Sequence, residues 1–158
     1  MSATSIRSAR RQRGVAAIEM AIIVPLLVIL LTFPIFFCRA FLYYSVAQKA
    51  AHNAAMYLAT VSKLEMQDNN KSAAASDMAT EIVEATIAEL SPGALGGIGV
   101  SIQCDNGPCG VGAIPNGLIT VDLRITMYDE FFPYFTWVVL GDGPLILDAS
   151  ATVRYVGQ

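Results

Sequence analysis

Reactive side chains are few in this sequence and widely separated. His52 is the only histidine, and it sits in an alanine-rich stretch with no partner residue nearby. No Ser-His-Asp or Cys-His system can be built around it, so an ordinary helix position is expected. Of the three cysteines, Cys104 and Cys109 bracket Asp105-Asn106-Gly107-Pro108, whose turn chemistry lets the two ends approach. In an oxidising compartment a disulfide is the natural reading, with free thiols as the alternative. Closing so small a loop stabilises a domain by only about 2 kcal/mol on the chain-entropy view. A metal site is disfavoured, because two thiols and one distant histidine fall short of a four-ligand shell. Cys38 is expected to be a buried hydrophobe.

Other apparent motifs dissolve on inspection. Gly96-Gly97-Ile98-Gly99 follows a helical pattern instead of joining a strand to a helix, which a phosphate loop requires. Glu81, Glu84 and Glu89 read as a solvated helix face, and Asp142-Gly143 as a turn. The remaining acids form no calcium-type ligand series. The expectation is a non-enzyme with no catalytic residues, no metal and no cofactor.

One carboxylate stands out by its surroundings. Met20 to Cys38 is a run of 19 residues without a charge, which as a helix is about 28 Å long, close to the hydrocarbon thickness of a bilayer. This run explains why 54% of the residues are hydrophobic and only 15% charged. Glu19 lies just before it, inside an apolar segment that starts at Val15. A carboxylate in a membrane span costs about 3 kcal/mol at mid-bilayer and less near the surface, so it is a functional candidate. A position at the headgroup boundary is the alternative.

Charge is unevenly spread around that run. Four of the ten basic residues, Arg7, Arg10, Arg11 and Arg13, precede it, while all 13 acids lie after Gly14, so the chain beyond Gly14 carries a net −7. An acidic body argues against nucleic acid as a partner. The upstream arginines place the N-terminus in the cytoplasm and the C-terminal part outside it. A secretory signal would have a shorter core and a prompt small-residue cleavage site, whereas Phe37-Cys38-Arg39-Ala40-Phe41 follows this one. A lipoprotein site would want small residues where Phe36 and Phe37 stand.

Arg13-Gly14-Val15-Ala16-Ala17-Ile18-Glu19-Met20-Ala21 resembles the leader junction of type IV pilin-like proteins. It is most similar to the TadE-type pseudopilins (TadE/TadF-like minor pilins) of the tight-adherence, or Flp, pilus system. In that family a prepilin peptidase cuts after the glycine and the glutamate is the fifth mature residue, a spacing that Gly14 and Glu19 match. Pro25, six residues after Glu19, matches the family's proline within the apolar run.

The resemblance implies a minor pilin acting in pilus assembly, with Gly14 and Val15 as processing site and Glu19 and Pro25 in subunit packing. Implied partners are a prepilin peptidase, a pilus assembly platform, a major pilin, a second minor pilin and the lipid bilayer. The implied location is the bacterial inner membrane as a single-pass protein with a periplasmic C-terminal domain, or a surface pilus. The physical logic agrees. Cleavage removes all four leader arginines and creates an amine at Val15, for which a neighbouring subunit's Glu19 is a counter-charge. An unprocessed single-pass anchor carrying an extracytoplasmic binding module is the alternative.

The elements that position these residues follow from periodicity. Pro25 and Pro34 free the carbonyls of Ala21 and Leu30, so a kinked or loosened helix is expected there. Ala47, Ala50, Ala51, Ala54, Ala55 and Ala59 make Phe41–Thr60 a strong helix former, and Val15–Thr60 as one helix or a kinked pair would run about 65–70 Å. Lys63 to Lys71 reads as a loop. A second helix is expected from Ser72 to Leu90, with Ile82, Val83, Thr86, Ile87 and Leu90 as its apolar stripe.

Strands should follow at Gly99–Gln103, around Ile119, Val121, Leu123, Ile125 and Met127, and at Leu145, Leu147, Ala149, Ala151, Val153 and Tyr155. Phe131 to Trp137 is an aromatic cluster, read as core or as an exposed docking or membrane-interface patch. The expected fold is α+β: a long transmembrane helix continuing outward, then a small domain with a second helix and an antiparallel sheet of two to four strands. The expected divisions are a basic leader over 1–14, the extended helix over 15–60 and the small domain over 61–158.

Overall fold

A computed structural model describes residues 8–90, 95–105, 107–112, 114–128, 137–138, 141 and 143–157. Its elements are α1 (Ser8–Thr60), α2 (Lys63–Gln67), α3 (Asn69–Ala88), β1 (Leu95–Cys104), β2 (Gly107–Pro108), β3 (Leu118–Met127) and β4 (Leu145–Arg154). The fold is α+β, as the periodicity indicates. The chain divides into two compact units, one ending at Ala40 and one beginning at Phe41.

In the first unit, α1 stays helical through both Pro25 and Pro34. Each proline removes one backbone donor, and a membrane helix absorbs the loss by local adjustment. Thr32 donates its hydroxyl to the carbonyl of Val28 (2.8 Å), so that polar side chain is satisfied within the helix. Ile18, Ile22, Leu26, Leu27, Leu30 and Phe37 all expose about half or more of their surface. So many bare apolar side chains on one helix suit lipid, not water. Phe37 stacks on Phe33 (5.8 Å between ring centres) and meets Phe36 edge-on at 5.7 Å. Cys38 is exposed and free, not buried as expected, because it shares this bare apolar surface.

The second unit is built on an alanine stripe. Ala47, Ala50, Ala51, Ala54, Ala55, Leu58 and Ala59 recur at helical spacing and are all buried. Most of these side chains are a single methyl, so close packing here needs the helix backbone itself near its neighbours. Facing them in one continuous core are Ala75, Ala79, Val83 and Ile87 of α3 and Ile119, Val121, Leu123 and Ile125 of β3.

The segment expected to be a loop holds a short helix instead. Ser62 accepts the N–H of Glu65 while Glu65 reaches back to the N–H of Ser62, a capping box that starts α2. Asp68 ends α2 and caps α3 through the N–H groups of Asn70 and Lys71. The second long helix thus begins at Asn69 instead of Ser72. Its inward face is Ser72, Ala75, Ala79, Val83 and Ile87. Ile82 and Thr86 are only half-buried, since alanines supply much of the contact.

The sheet is antiparallel in the order β2-β1-β3-β4. The β3–β4 register runs unbroken from Leu118 opposite Arg154 to Met127 opposite Leu145. Alternation holds along both strands: Ile119, Val121, Leu123, Ile125 and Met127 are buried, and Ile146, Asp148, Ser150, Thr152 and Arg154 are exposed. β1 is twice the expected length. It takes in Gly96 and Gly97, with a register shift between Leu95 and Gly97, because glycines carry no side chain to reveal alternation. Beyond β4, Tyr155 donates its phenol to the carbonyl of Val61 (2.8 Å) and Val156 its N–H to that of Ala59 (3.1 Å), tying the sheet to the end of α1. Burial raises the Tyr155 phenol above its ordinary value of 10.0, and nearby Glu65 adds to the shift. Phe131 to Thr136 of the aromatic cluster lie outside the described residues, and Trp137 is exposed.

Candidate processing and assembly site

Gly14, Val15, Glu19 and Pro25 all lie on α1, spaced along about 16 Å of helix axis. A Cβ built on Gly14 would meet nothing within 4 Å. Its absence therefore reflects no packing need within the chain. What glycine does change is helix strength, costing about 1 kcal/mol relative to alanine, so this is a cheap place to open the helix. Val15 is exposed, and Glu19 follows it by one helical turn on the same face.

Glu19 is exposed as well, and among the described residues no hydrogen bond or ion pair reaches its carboxylate. Among the described residues its charge is therefore uncompensated. Pro25 sits six residues on, where its ring denies the Ala21 carbonyl its helical partner. Among the described residues α1 is the one helix long and apolar enough to cross a membrane.

Residues 14–56 match the family model described as TadE-like protein. The match opens at Gly14, takes in Val15, Glu19 and Pro25, and ends within the alanine stripe. It covers 43 of the 158 residues and is consistent with a TadE-type pilin of the Tad system. The apolar α1 fits a single-pass membrane anchor in such a system. No curated protein and no solved structure matches the chain.

The second unit, which lies mostly outside the TadE-like match, has its own constellation. Cys104 and Cys109 are joined by a disulfide with their Cα atoms 5.0 Å apart. Asp105 between them adopts φ 55°, a conformation that aspartate tolerates better than most side chains. Its carboxylate accepts the N–H groups of Asn116 (2.8 Å) and Leu118 (3.0 Å), while its own N–H donates to the Leu118 carbonyl (2.7 Å). Those backbone bonds, Asn116 first, hold its pKa below the ordinary 3.8. No sequence pattern marks this role, because the donors come from residues 11 and 13 positions away.

The outer face of the sheet bears a shallow groove of about 530 Å³ along Gly99, Ser101, Asp122, Arg124, Asp148 and Ser150. Arg124 is engaged there by Asp148 at 2.7 Å, on an exposed surface, so the pair organises the face more than it stabilises it. His52 is exposed on α1. Among the described residues no three His, Cys, Asp or Glu side chains gather closely enough to hold a metal ion.

Proposed function

We propose that this chain is a minor pilin of a Tad/Flp-type adhesion pilus, cut by a prepilin peptidase after Gly14 and anchored in the bacterial inner membrane by α1. The observation that carries the reading is the TadE-like match over residues 14–56, which begins at the glycine of the junction itself. In this reading the peptidase opens the helix at Gly14, where glycine lowers helix propensity by about 1 kcal/mol relative to alanine. Cleavage removes the cationic leader and leaves a single amine on Val15. The Glu19 carboxylate of an adjacent subunit then pairs with that amine. Two charges that are each costly in the apolar phase become tolerable together and fix the register of packing.

The partners in this account are the peptidase, the assembly platform, a major pilin and a second minor pilin, with the acidic Phe41–Gln158 unit on the periplasmic side. Co-expression with an active prepilin peptidase tests the junction. The native sequence is expected to yield a faster-migrating species on a gel and Gly14→Val only the precursor. Equal migration of both, with the peptidase shown to cut another substrate, contradicts the proposal.

A further inference from the structure

The loop that follows the disulfide rests on the start of α3. Gly112 donates its N–H to the hydroxyl of Ser72 (3.0 Å), a buried side chain 40 residues away in sequence. Gly110 and Gly112 hold φ of 87° and 70°, the left-handed region that favours glycine. A Cβ on Gly110 would come 3.3 Å from the Cα of Ala73, and one on Gly112 would overlap the side chain of Asn69. The chain therefore lies against the helix at the two places where only glycine fits.

This contact has little apolar support. The first half of α3 buries only Ser72, Ala75 and Ala79, whereas Val83 and Ile87 anchor the second half. The loop also covers the Ser76 hydroxyl, which is buried, has no hydrogen-bond partner among the described residues and lies beside Gly110. Covering an unsatisfied hydroxyl opposes docking. Apart from the long bond from the Cys109 N–H to the Ile102 carbonyl (3.3 Å), the tether nearest to this loop is the Cys104–Cys109 bridge, one residue before Gly110.

We infer that the Cys104–Cys109 disulfide is a redox-controlled clasp, which fixes the loop of residues 109–112 on the first turns of α3 and releases them when reduced. In forming it, the two thiols lose two protons and two electrons to an external disulfide, whose own S–S bond breaks to give two thiols. The unit from Phe41 on is then completed only where a disulfide oxidant is present. The subunit remains unfinished in a reducing compartment.

Hydrogen exchange on the full chain in detergent micelles tests the clasp, comparing the oxidised protein, the protein reduced with a phosphine, and Cys104→Ser/Cys109→Ser. Amides of residues 73–76 are expected to exchange at least about tenfold faster in both states that lack the bridge, with those of β3 and β4 unchanged. Gly112→Ala, with the bridge intact, is expected to speed the same amides. Unchanged exchange at 73–76 in any of the three, or equal acceleration throughout β3 and β4, overturns the inference.

Discussion

At the scale of single residues, two carboxylates do unlike work. Glu19 is exposed on an apolar helix, and among the described residues no hydrogen bond or ion pair reaches it; in the proposed assembly its partner is the new amine of a neighbouring subunit. Glu19→Ala is expected to insert into membranes normally and to cut the yield of sheared pili at least about tenfold, since only the intersubunit pairing is lost. Normal piliation in that variant would contradict the pairing. Asp105 is held by the backbone N–H groups of Asn116 and Leu118. Its folded pKa lies below the ordinary 3.8, so the stability it contributes is present above that value and lost as pH falls through the lower folded value. Asp105→Asn is expected to lower the melting temperature at neutral pH and to flatten its decline below about pH 4. An acid slope identical to the native one would exclude this role. Glu19 was legible in the sequence because a charge beside 19 uncharged residues is conspicuous. Asp105 was not, because its partners are backbone groups that only the folded turn delivers.

At the scale of elements, the alanine stripe of α1 and the buried row of β3 hold the second unit together. Ala54→Leu inserts three carbons where the helix backbone lies close, and is expected to destabilise by about 1–3 kcal/mol. Leu123→Ala, in a fully buried strand position, is expected to cost about 3 kcal/mol. Denaturant melts of both variants check the two values. Both elements could be read from sequence, since alanine at high density favours a helix and apolar residues at every second place mark a strand. β1 was half-hidden, because Gly96, Gly97 and Gly99 erase the alternation. α2 was missed although Ser62-Lys63-Leu64-Glu65 carries the spacing of a capping box, which outweighed the polar composition of the segment. The inward face of α3 was blurred by the same small residues that make it pack: Ala75 and Ala79 are buried, while Met78 is exposed.

At the scale of the whole molecule, an apolar helix leads into a unit whose core sets alanines of α1 against the Ile, Val and Leu side chains of β3. The fold class was legible throughout, and so was the membrane segment, because each rests on patterns repeated over many residues. The proposed processing junction is a matter of few residues: Gly14, Val15 and Glu19 acquire meaning only with the span that follows and the arginines that precede. That junction is the central claim, and the N-terminal sequence of the protein from a membrane fraction of its native host tests it most directly. The account predicts a mature chain that begins Val15-Ala16-Ala17-Ile18-Glu19. A chain still beginning at or near Met1, with the peptidase shown active in the same cells, would contradict it.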